Sequence, residues 1–141
     1  NARDMDMLRR NLYFGGTYNM RKNDYKTAFQ FFDTYIDAAR QPLFTGYNYE
    51  QQDTMMATAA YWAVVCGQHV GDPQMTLRYS QLALKDEAKA QFTLQYMCEA
   101  YQLLHRDADY VDLLHQGFER FPLNPYFFPR LADHYTAVKT S

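Results

Sequence analysis

The sequence predicts an all-α protein, and three observations support this class. Apolar residues recur at intervals of three and four positions along most of the 141 residues, which is the spacing of one face of an α-helix. The single pair of adjacent β-branched residues, Val64 and Val65, lies inside such a pattern. Asp, Asn, Gly and Pro stand where the patterns start and stop. A chain of this length has room for one core, so we expect a single domain over residues 1–141.

The first half of the chain predicts two helices and a loop. Residues 3–22 carry apolar side chains at helical intervals, and Asn23 ends this pattern. Asp24 can accept hydrogen bonds from the free amides of the following turn, so we expect it to cap a helix over residues 25–40. The apolar face of that helix comprises Ala28, Phe29, Phe32, Tyr35 and Ile36. Pro42, Gly46 and Asn48 predict a loop over residues 41–52.

The second half repeats the same signals. Residues 51–70 predict a long helix that ends at Gly71. Asp72 is expected to cap the next helix, and Pro73 takes its first position, where a missing N–H costs nothing. Asp109 is expected to cap a later helix in the same way. The remaining predicted helices cover residues 87–105, 109–121 and 126–139.

The three predicted Asp caps suggest a repeated helix pair. Asp24, Asp72 and Asp109 each begin the second helix of a pair, and they lie 48 and 37 residues apart. The units share a spacing of small and large residues: Leu12-x2-Gly15-Gly16-x2-Asn19 and Ala28-x3-Phe32 in the first, Ala59-x2-Trp62-Ala63-x2-Cys66 in the second, and Met97-x2-Ala100-Tyr101-x2-Leu104, Leu113-x3-Gly117 and Pro125 in the third. Small residues at such positions let two helices approach closely, as we expect for Gly16, Ala63 and Ala100.

These motifs resemble the tetratricopeptide repeat (TPR) over about residues 9–125. The resemblance implies a right-handed solenoid of about three antiparallel helix pairs plus a closing helix. Its units would cover about residues 3–40, 51–84 and 87–121, with the closing helix at 126–139. Four residues depart from the family pattern: Asn19 and Leu104 stand where Tyr is usual, Tyr101 replaces the small residue, and Arg40 replaces the closing Pro.

The predicted closing helix is unusually apolar for a terminal element. Its apolar residues include Phe127, Phe128, Leu131 and Tyr135. Exposed apolar surface of this kind indicates a contact with further protein. We therefore expect either a longer array or a partner at this helix, with self-association through the C-terminal helix as one form of that contact.

Composition excludes several classes of function. The net charge of −2 argues against a nucleic-acid-binding domain, which normally carries a basic surface. The longest apolar run, residues 59–66, is much shorter than the roughly 20 residues that a membrane span needs. Cys66 and Cys98 lack zinc-site spacing, so we expect buried free thiols, with a disulfide between them left open. The cellular compartment also stays open.

The sequence gives no support for catalysis. Gly15 and Gly16 lie in the middle of a predicted helix, where close packing explains them better than a phosphate-binding loop. Carboxylate pairs stand at helix starts, where the helix dipole favours them. The four histidines are spread over separate predicted helices: His69, His105, His115 and His134. We therefore expect no enzyme activity, no metal site and no cofactor.

The resemblance implies a binding face. In the family, the first helices of successive units line a concave surface that binds extended peptides or partner segments. The candidate partner-binding residues are Tyr13, Thr17 and Arg21 in the first unit, Tyr61 and Gln68 in the second, and Gln102 and His105 in the third. Their side chains suit hydrogen bonding to a peptide backbone or a carboxylate, although each could equally belong to an ordinary solvated helix face. The predicted function is a non-catalytic protein–protein interaction or scaffold module that binds a protein or peptide.

Two alternatives remain at this stage. The chain could be a small-ligand or peptide-sensing helical domain, in which Phe44, Tyr47 and Tyr49 of the 41–52 loop form an aromatic pocket. It could also be a helical accessory domain of an enzyme whose chemistry lies elsewhere. The interaction module predicts an extended face with scattered polar residues, whereas the sensing domain predicts a closed pocket.

Overall fold

The computed structural model describes residues 2–40 and 54–140, and every regular element in these two ranges is an α-helix. This confirms the all-α class, while the predicted loop over residues 41–52 lies outside the described residues. In chain order the helices are α1 (Ala2–Arg21), α2 (Tyr25–Ala39), α3 (Thr54–Val70), α4 (Pro73–Arg78), α5 (Ser80–Ala83), α6 (Ala90–Leu103), α7 (Asp107–Arg120) and α8 (Phe127–Thr140). Among the described residues, none of the helices has the length and apolar character that crossing a membrane requires.

The helices pack in the order of the chain. Helix α1 packs on α2, α3 packs on α4 and α5, and α6 packs on α7. We call α1, α3 and α6 the first helices of these pairs, and α2, α4–α5 and α7 the second helices. Each second helix also packs on the helix that opens the next pair, because α2 contacts α3, α4 and α5 contact α6, and α7 contacts α8. Each new pair therefore packs, through its first helix, on the second helix of the pair before it.

The second helix of the middle pair is broken at Tyr79, where the backbone leaves the helical region at φ −116° and ψ 19°. The hydroxyl of Ser80 donates a hydrogen bond to the carbonyl of Leu77 at 2.9 Å, which competes with the helical backbone bonds. The Tyr79 hydroxyl donates to Asp33 on α2, so the break also anchors this helix to the first pair.

One type of turn joins the two helices of each pair. The backbone is left-handed at Asn23 (φ 63°), Gly71 (φ 81°) and His105 (φ 56°). In each turn the next amide donates to the carbonyl five residues earlier: Asp24 to Asn19 at 2.9 Å, Asp72 to Gly67 at 3.1 Å, and Arg106 to Tyr101 at 3.0 Å. These bonds occupy carbonyls that would otherwise be left open at the end of the first helix.

Two of the three predicted Asp caps are confirmed. Asp24 accepts a hydrogen bond from the amide of Thr27 at 3.2 Å. Asp72 accepts from the amides of Gln74 at 3.0 Å and Met75 at 3.2 Å. Each carboxylate thus satisfies free N–H groups at the start of a second helix, as the sequence predicts.

The predicted cap at Asp109 is wrong. Helix α7 begins at Asp107, and the cap residue is Arg106, which makes no capping bond with its side chain. Asp109 lies in the first turn, where one of its carboxylate oxygens is 2.8 Å from a guanidinium nitrogen of Arg106. The reason is the left-handed turn at His105, after which Arg106 is the cap residue and the helix begins two residues later, at Asp107. The residues that precede the second helices are consequently 48 and 34 residues apart, not 48 and 37.

Glycines lie where paired helices approach most closely. A Cβ atom built on Gly16 of α1 would lie 2.5 Å from Cζ of Phe32 on α2, well inside van der Waals contact. Gly67 of α3 faces the backbone of Thr76 on α4 even more closely. The predicted close packing at Gly16 is confirmed, and Gly67 makes a similarly close contact in the middle pair at a different position of the first helix.

The buried apolar side chains of the described residues form two clusters. The first cluster is formed by helices α1 to α5 and includes Phe32 and Tyr35. The second is formed mainly by α6, α7 and α8 and includes Phe127. Cys66 belongs to the first cluster and Cys98 to the second, and both are free buried thiols. Burial raises the pKa of each thiol to about 12, so neither is a reactive thiolate at neutral pH.

We expect the confirmed caps to matter for stability and Asp109 to matter little. Asp24→Ala and Asp72→Ala should each lower the free energy of unfolding by about 1 kcal/mol, because each leaves helix amides without an acceptor. Asp109→Ala removes only an exposed ion pair and should cost about 0.5 kcal/mol or less. Urea unfolding followed by circular dichroism measures all three, and an Asp109→Ala cost equal to the others would contradict the assignment of Arg106 as the cap.

We expect Gly67→Ala to be among the costliest single-methyl changes in the chain. Its Cβ would press on the backbone of Thr76, which cannot rotate away as a side chain can, so α3 and α4 must separate. The expected cost is about 3 kcal/mol. Gly71→Ala is the control, because its Cβ would meet open space and only the left-handed backbone is penalised, at about 1 kcal/mol. Equal costs in thermal or urea unfolding would contradict the close approach.

Candidate interaction face

Four aromatic side chains form a continuous row across the first helices, which we call the aromatic row: Tyr13 of α1, Trp62 and Tyr61 of α3, and Tyr96 of α6. The indole N–H of Trp62 donates a hydrogen bond to the Tyr13 hydroxyl at 3.2 Å. The Trp62 and Tyr61 ring centroids are 5.0 Å apart, and those of Tyr61 and Tyr96 are 6.4 Å apart. These contacts join all three first helices along one face.

The row is held from below by core aromatics. The Tyr13 ring packs edge-on against Phe32 at 5.7 Å and Tyr35 at 5.9 Å, both on α2. Tyr61 is almost fully buried, whereas Tyr13, Trp62 and Tyr96 are half-buried and present part of their surface to solvent. Rigid aromatic groups that are supported on one side and open on the other can bury area on binding at little entropic cost.

Tyr13 and Tyr61 occupy the same place in their respective units. Each lies 11 residues before the residue that precedes the second helix, which is Asp24 in the first pair and Asp72 in the second. Gln95 of α6 has the same spacing from Arg106. Equal turns thus project equivalent positions of the first helices onto one face, with an aromatic side chain at two of them and an amide at the third.

A polar network flanks Tyr61. The Thr58 hydroxyl donates to a carboxylate oxygen of Asp86 at 3.0 Å, and the Lys89 ammonium donates to the same oxygen at 3.1 Å. The Lys89 nitrogen also lies 5.9 Å from the centre of the Tyr61 ring. Burial, with smaller contributions from Tyr96 and Asp86, raises the pKa of Tyr61 to about 12, so its hydroxyl is a neutral donor at physiological pH.

A second polar pair lies about two turns further along α3. The side-chain amide of Gln68 donates a hydrogen bond to a carboxylate oxygen of Glu99 on α6. Both side chains are half-buried, so they keep donor and acceptor groups available beside the contact. The face therefore combines apolar ring surface with hydrogen-bonding groups, the mixture that suits a peptide with an exposed backbone.

A groove of about 590 Å³ opens where α6 meets the turn between α7 and α8. From α6 it is lined by Gln91, Phe92 and Gln95, and from the turn by residues 120–125. Asn124 donates to the Gln91 side chain at 2.8 Å and fixes this wall. Gln95 is equivalent to Tyr13 and Tyr61 in the repeat. The groove therefore lies beside the first-helix face in the third pair.

The predicted site residues divide into three groups. Tyr13 and Tyr61 belong to the aromatic row, and Gln68 belongs to the polar pair beside it. The Thr17 hydroxyl is turned back to its own helix and donates to the Phe14 carbonyl at 3.0 Å. Arg21, Gln102 and His105 are exposed at the turn ends of their units. His105 is itself the left-handed turn residue and therefore does not lie on α6.

Trp62, Tyr96 and Glu99 belong to the face but were not predicted as site residues. The sequence pattern assigned Trp62 to the helix contact because Ala63 was matched to Gly16. When the pairs are aligned on their turns, Val64 and not Ala63 is equivalent to Gly16. Trp62 then belongs to the face and not to the contact between the two helices. The left-handed Gly71 was the signal that could have corrected this register.

The histidines of the described residues make structural contacts at separate places. His69 stacks on Tyr25 with ring centroids 3.9 Å apart, and a ring nitrogen of His115 lies 2.7 Å from the Tyr135 hydroxyl. No group of three or more His, Cys, Asp or Glu side chains in the described part of the chain is placed to hold a metal ion. Phe44, Tyr47 and Tyr49, the residues of the alternative aromatic pocket, lie outside the described residues.

No protein-family model matches the chain, and no curated protein or solved structure matches it either. The function must therefore be inferred from the geometry of the chain itself.

We expect Tyr61→Phe to reduce the loss of stability at alkaline pH. In the unfolded chain a tyrosine loses its proton near pH 10, but in the folded protein the pKa of Tyr61 is about 12. Tyr61 therefore contributes stability that is fully present below pH 10 and is lost as the pH rises from 10 to 12. The variant lacks this ionisation, so its free energy of unfolding should fall less over that range.

Urea unfolding between pH 8 and pH 11.5 measures this difference. Tyr18→Phe is the matched control, since Tyr18 is an exposed tyrosine of α1 outside the aromatic row. Identical pH dependence in Tyr61→Phe and Tyr18→Phe would show that burial of the Tyr61 hydroxyl does not couple to folding.

Proposed function

We propose that this chain is a TPR-like helical repeat module that binds an extended segment of a partner protein and has no catalytic role of its own. In this proposal its three helix pairs form successive turns of a right-handed solenoid, and α8 is the closing helix. The repeated left-handed turn supports the arrangement, because the second and third turns are 34 residues apart. That spacing is the repeat length of the family, about 34 residues.

Aligning the pairs on their turns brings the third pair closer to the family pattern, although it places Val64 at the small position of the second. Counted from the turns, equivalent positions of the first helices hold Leu12, Ala60 and Leu94, then Gly15, Ala63 and Met97, then Gly16, Val64 and Cys98, and finally Asn19, Gly67 and Tyr101. The third pair now has Cys98 at the small position and Tyr101 where Tyr is usual. Both departures assigned to Tyr101 and Leu104 from the sequence disappear in this register.

The aromatic row is the observation that carries the binding proposal. It links three first helices on one face, and three of its members keep exposed ring surface. A surface built for helix packing alone would not need a partly exposed Trp that is hydrogen-bonded to a partly exposed Tyr. An extended segment laid along the row would bury ring surface, and its amides would find acceptors at Glu99 and Asp86.

The single Trp of the chain supplies a direct test, because Trp62 lies in the row. Twelve-residue peptides selected from a phage library on the intact chain should change the emission of Trp62 when they bind. Tyr96→Ala should weaken such peptides about tenfold or more, as expected for loss of an aromatic anchor. Affinities follow from titration of the fluorescence change.

Tyr18→Ala is the control, since it removes an exposed tyrosine from another face of α1. It should leave affinity unchanged, and circular dichroism should show that both variants keep their helices. Peptides that bind Tyr96→Ala as tightly as the unchanged chain, or that bind without altering Trp62 emission, would place recognition elsewhere and contradict the proposal.

A further inference from the structure

Helix α8 presents a stripe of side chains that we call the open stripe: Phe128, Ala132 and Tyr135. These residues follow one another at intervals of four and three and so share one side of the helix. Phe128 is 57% exposed and Tyr135 is 52% exposed, and Ala132 between them is also exposed. The neighbouring stripe of α8, with Phe127 and Leu131, is buried in the second core cluster. The helix thus has one apolar side that is packed and a second that is not.

The same stripe is covered in α6. Thirty-four residues before the open stripe stand Leu94, Cys98 and Tyr101, which give the same succession of a large apolar residue, a small residue and a tyrosine. Leu94 and Cys98 are both 0% exposed because they cluster with Leu113 and Leu114 of α7. The helix that covers the stripe of α6 is therefore the second helix of its own pair.

The first two pairs follow the same rule. Gly16 in the equivalent stripe of α1 is covered by Phe32 of α2, and Gly67 in the stripe of α3 is covered by the backbone at Thr76 of α4. In each pair the stripe of the first helix contacts the second helix. Helix α8 has the stripe of a first helix, and no second helix covers it among the described residues.

Two side chains of α7 contact the ends of the open stripe. The Phe118 ring of α7 lies 5.4 Å from that of Phe128, and a ring nitrogen of His115 is 2.7 Å from the Tyr135 hydroxyl. Both α7 side chains hold the aromatic ends of the stripe in place. Between those two rings the stripe has only the methyl group of Ala132, so the side chains protrude least from α8 at its centre.

We propose that the open stripe is a docking site for an amphipathic helix, which lies antiparallel to α8 as a second helix and places a large aliphatic side chain over Ala132. The closest precedent in the chain is α7, whose leucines cover Cys98 at the equivalent position of α6. A helix satisfies its own backbone, so it can be anchored by apolar side chains alone, at intervals of three and four residues. This site lies on a different surface from the aromatic row and does not depend on peptide binding there.

The probe for this proposal is the apolar face of α7, supplied to the full chain in the correct register. The extended protein carries Lys139→Gly, to allow the left-handed turn, and a copy of residues 107–122 in place of Ser141. Thr140 then precedes the added helix as Arg106 precedes α7. The melting temperature should rise by about 5 °C relative to the unextended Lys139→Gly chain, and amide exchange should slow about tenfold or more over residues 127–138.

Two matched substitutions separate docking on the stripe from a general effect of the extension. Ala132→Glu places a charge at the centre of the stripe and should abolish both gains. Ala137→Glu makes the same change at an exposed alanine on another side of α8 and should leave them intact. Because both alanines are exposed, neither change should alter the melting temperature of the unextended chain.

Three outcomes would overturn the proposal. The extension could produce no rise in melting temperature, or the rise could survive Ala132→Glu. Sedimentation of the unextended chain could also reveal a dimer that Ala132→Glu converts to monomer, in which case a second copy of α8 is the occupant. None of these results bears on the Tyr96→Ala test, so the two proposals fail independently.

Discussion

The arrangement of the helices depends on the left-handed turn that ends each first helix. At Asn23, Gly71 and His105 the backbone takes a positive φ, and the following amide bonds back across the turn. This geometry leaves little freedom in the direction of the second helix, because the chain enters it two residues later each time. Equal turns give equal helix pairs, and equal pairs carry equivalent side chains to one face. Tyr13 and Tyr61 lie on one face because the backbone turns are equal, whichever side chains occupy those positions.

Buried residues at equivalent positions of the two helices in each pair compensate for one another in size. Sixteen residues after the small position of each first helix stands its counterpart on the second helix, and the three combinations are Gly16 with Phe32, Val64 with Ser80, and Cys98 with Leu114. All six residues are buried. A glycine accompanies the largest counterpart and a valine accompanies the smallest, so the summed volume varies less than either side chain does. This is how different sequences can fill the same interhelical space at the density of a protein core.

Much of the fold was predictable because its signals are local. Asp24, Asp72, Pro73 and Gly71 act through their own backbone or the next turn, so their roles follow from sequence alone. The left-handed turn at His105 was harder to predict, because three acidic or small residues follow it and any of them can start a helix. Predicting the interaction face also required the exact register of each helix, since a register error of one residue rotates the assigned positions by about 100° around the helix. That single step separates Trp62 in a helix contact from Trp62 in the aromatic row.

The two candidate surfaces obey different constraints. Apart from Tyr61, the members of the aromatic row are only partly buried against the core, so each keeps ring surface that a partner can contact. In each of the three helix pairs, the positions of the open stripe pack against the second helix of that pair. Ala132 takes the position that Gly16 and Cys98 occupy in α1 and α6. A partner at the row can therefore be selected by chemistry, through rings and hydrogen bonds. A partner at the stripe must first satisfy the geometry of a second helix, because the stripe offers apolar shape and few polar groups to recognise.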